Sequence, residues 1–240
     1  SIIVGNMRGP DGDTPSLLSF DDVLGLFHEF GHILHHSLTR AHYASLSGTN
    51  TEWDFVEMPS QTFEEMAYEP SILEAISGHY LDRTKKFPEN LINNIIASKD
   101  VDIGIIHTKR YIISVMDIAS YTIPGPVNVT DLYNQNYTEM LGIPPISGSH
   151  EATTIDHFMG GYDAGYYSYL WSKVYALNAL AVFEQKGTSD ATTGNRYRQW
   201  ILEPGNSKDG MDLLIGFLGK EPGLNALYSY LHLTPPGKKR

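Results

Sequence analysis

The sequence predicts a mainly α-helical fold with a minor β component near the N-terminus, and three observations carry that prediction. Apolar residues recur at helical spacing along most of the chain, and turn-rich stretches such as "IPGPVN", "GIPPISGSH" and "GGYDAG" separate them. Only the opening "SIIVGN" has the shortness and β-branched content of a strand. No internal repeat, low-complexity tract or linker interrupts the 240 residues, so 1–240 reads as a single domain large enough to bury a real core.

Taken in order, the strand "SIIVGN" is followed by "MRGPDGDTP", a loop rich in turn formers. Ser19 with Asp22 three places on resembles a capping box, Asp standing where Glu or Gln is usual, and it opens a helix running to about Leu38. Val23, Leu24, Phe27, Leu34 and Leu38 give that helix an inward face. "TRAHYASLSGTNTE" is expected as a loop or a short irregular pair of strands. "WDFVEMPSQTFEEMAYE" is expected as a second helix, with Pro59 bending it or sitting near its first turn. Further helical patterns cover about 71–82, 88–119, 130–141, 164–186, 192–202, 207–218 and 223–231.

Composition excludes some functions. A formal net charge of −11 argues against a broad nucleic-acid surface and against an anchor on anionic membranes. No apolar run approaches the length of a membrane span, and the first ten residues are too short and too quickly interrupted for a secretory signal. Cysteine is absent, so any zinc must be held by imidazole and carboxylate. The expected compartment is the cytoplasm, with an organelle as the alternative.

His28-Glu29-Phe30-Gly31-His32 is an H-E-x-x-H sequence inside the first helix. Residues four apart on a helix lie one above the other, so His28 and His32 can each turn a nitrogen toward one Zn²⁺. Glu29, one step round, can then act as general base on the attacking water. A catalytic zinc usually takes three protein ligands and keeps one position open. His35 and His36 follow too closely on the same helix and read as supporting or surface groups. Glu57 is the better third ligand, because the loop before its helix is long enough to bring that helix alongside the first. Glu64, two turns beyond Glu57, either fixes the tautomer of a ligand histidine or is a solvated acid beside Glu65.

Four stretches, "PSLLSFDDVLGLFHEFGHILHH", "SGTNTEWDFVEMPSQTFEEMAYEP", "HFMGGYDAGYYSYLWSKVYA" and "YRQWILEPGNSKDGMDLLIGFLGKEP", resemble in order the zinc peptidases of the thimet oligopeptidase, neurolysin and oligopeptidase A group, with dipeptidyl carboxypeptidase as a relative. The resemblance runs from near residue 1 to about 231 and implies a helical zincin-like catalytic domain. It implies one Zn²⁺ per chain on His28, His32 and Glu57, with Glu29 as base. It also gives roles to a Gly-rich, Tyr-dense loop that composition alone would assign to packing. His157, Tyr166 and Tyr169 then serve catalysis, and Tyr162 with Gly160 and Gly161 binds the peptide. "SIIVGN" resembles the family's edge strand, which pairs with an extended peptide; a strand covered by other protein is the alternative.

The implied activity is zinc-dependent hydrolysis of short peptides, and the alternative is a non-catalytic peptide-binding or assembly subunit that keeps the zinc site. Members of that group carry a long helical region ahead of the matching part. The expectation is therefore either a compact enzyme with an open cleft or a catalytic fragment that needs another chain. An apolar surface left uncovered would favour a homo-oligomer or docking of an N-terminal partner region.

Overall fold

The structure, a computed structural model, describes residues 1–237. In chain order it contains α1 (Phe20–Ser37), α2 (Trp53–Val56), α3 (Met58–Met66), α4 (Pro70–Ile76), α5 (Glu89–Ser98), α6 (Ile103–Thr122), α7 (Val129–Leu141), α8 (Ser168–Lys186), α9 (Ala191–Tyr197), α10 (Gly210–Leu218) and α11 (Asn225–Tyr230). The protein is mainly helical, as its periodicity predicts. Among the described residues no strand forms. The bridges among the described residues are two isolated ones, Asp11 with Thr14 and His79 with Asp82, and residues 1–6 carry no regular structure. This corrects the expected β component: a short β-branched stretch becomes a strand only where a second strand pairs with it. Among the described residues no helix is long and apolar enough to cross a membrane.

Two compact units make up the chain: residues 1–99 with 172–240, and residues 100–171. In the first unit α1 starts where its cap predicts. Ser19 Oγ accepts from the Asp22 amide at 3.1 Å and Asp22 Oδ2 accepts from the Ser19 amide at 2.8 Å, which satisfies two of the helix's orphan donors. The stretch expected as one helix over Trp53–Glu69 breaks at Glu57, which ends α2 and opens α3, with Pro59 in the first turn of α3. Proline there removes an N–H that would have had no partner. The core is built on Phe55, Met58, Ile201, Leu213, Leu214 and Phe217, all essentially inaccessible to solvent, and Leu34 of α1 and Leu38 just after it pack against it.

The first unit also buries charge. Glu65, on α3, is 3% exposed. Lys173 of α8 donates to its Oε1, and the Lys99 ammonium stands 2.6 Å from its Oε2. Lys99 lies over the rings of Tyr68 and Tyr230 at 5.2 and 4.8 Å. The pattern predicting one helix over 88–119 takes no account of Lys99; the helix stops there, and α6 begins after Asp102, which takes a left-handed φ of 56°.

Burial pushes the Glu65 carboxyl up, but Lys173 and Lys99 outweigh it and hold the group at about 2 against an ordinary 4.5. A depressed carboxylate stabilises the fold fully above its ordinary value, and that contribution fades as pH falls through the folded value. Stability is therefore expected to decline between pH 4.5 and about 2. Lys173→Ala is expected to cost about 3 kcal/mol, the low end for a broken buried pair because Lys99 remains, and to flatten that decline. Urea unfolding at several pH values measures both, and an unchanged midpoint in the variant would exclude the pair as a stabilising element.

In the second unit α6 and α7 pack around Ile112, Met116, Tyr133 and Ala152. Asn128 caps α7, its side-chain oxygen accepting from the Thr130 and Asp131 amides. Two short 3-10 turns, Glu151–Thr154 and Asp156–Met159, lead into the Gly-rich loop. The helix expected from 164 starts at Ser168, because Ala164 takes a left-handed φ of 56°.

Candidate metal centre

α1 brings His28 and His32 to one side of the helix, their rings 5.1 Å apart and nearly perpendicular. Glu57, 3% exposed at the junction of α2 and α3, meets them: its Oε2 lies 3.2 Å from His28 Nε2 and 3.2 Å from His32 Nε2. Among the described residues these three side chains form the one group whose donor atoms converge as metal ligands would. Donors bound to a tetrahedral ion at about 2.0–2.1 Å sit about 3.3–3.4 Å apart. The spacing therefore fits, and two imidazoles with one carboxylate form a neutral-plus-anionic set suited to a divalent cation.

Two features that hold this geometry escape a sequence reading. Gly31 stands between the histidines at the point where α1 crosses α3. A Cβ there would lie 2.5 Å from Ser60 Cα and 2.9 Å from the Pro59 carbonyl oxygen, so only glycine lets the helices approach this closely. Ser60, fully buried, donates to Glu57 Oε2 at 2.9 Å and so orients the carboxylate. Glu64, which the sequence leaves open between two roles, lies 3.1 Å from His28 Nδ1. A carboxylate accepting a hydrogen bond from Nδ1–H favours the tautomer whose Nε2 keeps a free lone pair.

The electrostatics reflect this crowding. Burial pushes the His28 imidazole down, but the Glu57 and Glu64 carboxylates outweigh it and raise the ring to about 9, so a metal ion binding there would have to displace the Nε2 proton. Burial likewise pushes Glu57 up, and the two imidazoles hold it well below the usual carboxylate range. Glu64 is held low against the same burial by His28 and by the charge of Lys173. The Glu57 carboxylate is thus ionised at neutral pH, the form that could ligate a cation.

Glu29 is exposed and lines, with His32, Ile33, His36, Thr49 and the segment Ser1–Val4, a cavity of about 290 Å³. His36 therefore faces the same space as Glu29. His35 does not: it is completely buried against Phe55 with ring centroids 6.4 Å apart, and neither ring nitrogen has a partner. Burial, reinforced by His32 and His36, lowers it to about 4, so it is a neutral core residue and not a ligand.

Within the second unit, His157, Tyr162, Tyr166 and Tyr169 gather into one aromatic cluster. His157 lies 5.8, 5.2 and 5.4 Å from the three tyrosine rings in that order, and Tyr162 stacks on Tyr169 at 5.0 Å. Asp156 Oδ1 lies 3.0 Å from His157 Nδ1. Burial raises the Tyr166 phenol above its ordinary value, so it stays protonated and able to donate. Gly160 and Gly161 are exposed in the loop, Gly161 with a φ of 99° that favours glycine.

Comparison with known proteins agrees with the resemblance carried by the four sequence stretches. The chain is 37% identical over 221 residues to a thimet-like oligopeptidase of Dictyostelium discoideum, covering 90% of this chain and 33% of that protein. It is 35% identical over 230 residues to oligopeptidase A of Escherichia coli (strain K12), covering 94% and 34%. With a dipeptidyl carboxypeptidase of Salmonella typhimurium (strain LT2) the figures are 34% over 232 residues, 95% and 34%. The chain thus spans about a third of the length of these curated relatives. Its fold is similar to that of the BsuCP crystal structure, with a TM-score of 0.64 at 18% identity over 92% of this chain and 49% of that one. The model of peptidase family M3 matches residues 1–233, the histidine pair and Glu57 included, and the chain belongs to that family.

Proposed function

We infer that this chain is the catalytic part of a zinc-dependent oligopeptidase that hydrolyses peptide bonds in short peptides. The observation that carries this reading is the single oxygen of Glu57 placed 3.2 Å from both His28 Nε2 and His32 Nε2, with Glu29, the residue after His28, opening on the cavity. Relatives named oligopeptidase A and thimet-like oligopeptidase support it.

His28, His32 and Glu57 would hold one zinc per chain. When bound there, zinc supplies Lewis acidity, polarising the scissile carbonyl and acidifying the attacking water. Glu29 accepts the proton of that water and delivers it to the departing amine, so no acyl-enzyme is needed. Glu64 keeps the His28 proton on Nδ1, and Ser60 keeps the Glu57 oxygen turned toward the histidines. To His157, Tyr166 and Tyr169 the proposal assigns a part in catalysis, the two phenols hydrogen-bonding the oxygen that gains charge as water adds, and to Tyr162, Gly160 and Gly161 contact with the peptide. These are the roles their counterparts have in the resembling group.

The test is cleavage of a quenched fluorescent peptide by the isolated chain, with a chelator added and then titrated with Zn²⁺. Cleavage is expected to vanish with the chelator and return at one zinc per chain. Zinc bound one to one with no cleavage of any short peptide would overturn the proposal in favour of a peptide-binding subunit.

A further inference from the structure

We propose that Asp117 is a positioning residue of this peptidase, a buried carboxylate that fixes the backbone of the tyrosine loop and thereby sets where Tyr166 stands. The proposal rests on the assignment of Tyr166 as oxyanion donor above.

Asp117 sits on α6 and is 1% exposed. Its Oδ1 accepts from the Ala164 amide at 2.9 Å and its Oδ2 from the Tyr166 amide at 2.9 Å. Each carboxylate oxygen therefore takes one N–H from residues two apart. A chain turning through a left-handed residue can bring such a pair to face one anion, in a concavity of backbone donors. Ala164 supplies that turn with a φ of 56°, a conformation costly for a residue with a Cβ. A non-glycine residue held there needs a compensating interaction, and two charge-assisted hydrogen bonds to a buried carboxylate are strong ones.

The segment is pinned at its other end as well. The His157 carbonyl accepts from the Gly160 amide at 3.1 Å and from the Tyr162 amide at 3.0 Å. Between these two anchors the chain runs through exposed glycines, while the rings of His157, Tyr162, Tyr166 and Tyr169 pack on one another. A donor already in place when charge develops costs no reorganisation, so fixing the Tyr166 backbone acts on the chemical step. No local signal marks this role, because Asp117 lies 49 residues before Tyr166.

The experiment uses the full chain with zinc, comparing wild type, Asp117→Asn, Asp117→Ala and Asp117→Asn/Ala164→Gly. Asparagine keeps one acceptor and turns an amide toward the other N–H, so kcat is expected to fall on the order of tenfold, as for one lost hydrogen bond to a charged group. The alanine variant should fall further, with zinc still one per chain in both. Glycine at 164 takes the left-handed turn without help, so the double variant is expected to recover part of the lost kcat. Wild-type kcat in Asp117→Asn, or a loss that Ala164→Gly does not relieve, would overturn the positioning role. Amide hydrogen exchange provides an arm independent of activity. The Ala164 and Tyr166 amides should be protected in the wild type and exposed in the variants, and rapid exchange of both in the wild type would overturn the clamp. Protected amides in a wild-type chain that cleaves no peptide would instead overturn the assignment of Tyr166, and the positioning role with it.

Discussion

Glu29→Gln is expected to leave the fold and the zinc stoichiometry intact and to lower kcat by at least about 10²-fold, the ordinary contribution of a positioned general base. Glutamine has the volume of glutamate and can still hydrogen-bond a water, but it cannot take up a proton. Glu29 is exposed and is not one of the three converging donors, so its replacement leaves the ligand set untouched. The expected signature is therefore a loss in kcat with little change in zinc binding. Single-turnover cleavage together with a metal assay on the same preparation decides the matter. A variant that cleaves at near wild-type rate would remove Glu29 as the base, and one that loses its zinc would make it a ligand or a structural residue instead.

Gly31→Ala is expected to damage the centre although it touches neither ligand nor base. Intrinsic propensity argues the other way, since alanine is favoured over glycine in a helix interior by about 1 kcal/mol. The steric effect is larger. The new methyl would lie 2.5 Å from Ser60 Cα and 2.9 Å from Ser60 N, and these are backbone atoms that cannot rotate away. Overpacking of this kind costs about 1–3 kcal/mol. Alternatively α1 and α3 separate, which carries His28 and His32 away from Glu57. A shift of about 1 Å is enough to spoil a constellation of this sort. The expected result is a lower melting temperature and a weaker affinity for zinc in competition with a chelator, in contrast to Glu29→Gln. Wild-type affinity in Gly31→Ala would show that the helix approach does not set the site.

Some of this was legible in the chain because it is local. The capping box at Ser19 and Asp22 depends on residues three apart, and it opens α1 where expected. The histidine pair depends on residues four apart on one helix, and the two rings do lie side by side. Pro59 falls in the first turn of a helix for a reason confined to its own N–H.

What failed depended on partners distant in sequence. "SIIVGN" has the composition of a strand but forms no strand pairing among the described residues. The apolar pattern over 88–119 runs through Lys99, whose ammonium is tied to a glutamate 34 positions earlier. His35, read as a supporting or surface group, is a core residue, because the helix turns it toward Phe55.

The sequence by itself determined the helical class, the family, and the residue types able to bind zinc and move a proton, since these follow from short-range spacing and from stretches kept in order. Only the tertiary structure decided how the pieces meet. It put Glu57 within 3.2 Å of both histidines, Glu64 at 3.1 Å from His28 Nδ1, Gly31 against the backbone of Ser60, and Asp117 on the Ala164 and Tyr166 amides. The physical reason is the same in each case: close packing and buried hydrogen bonds join residues whose separation along the chain carries no periodic signal.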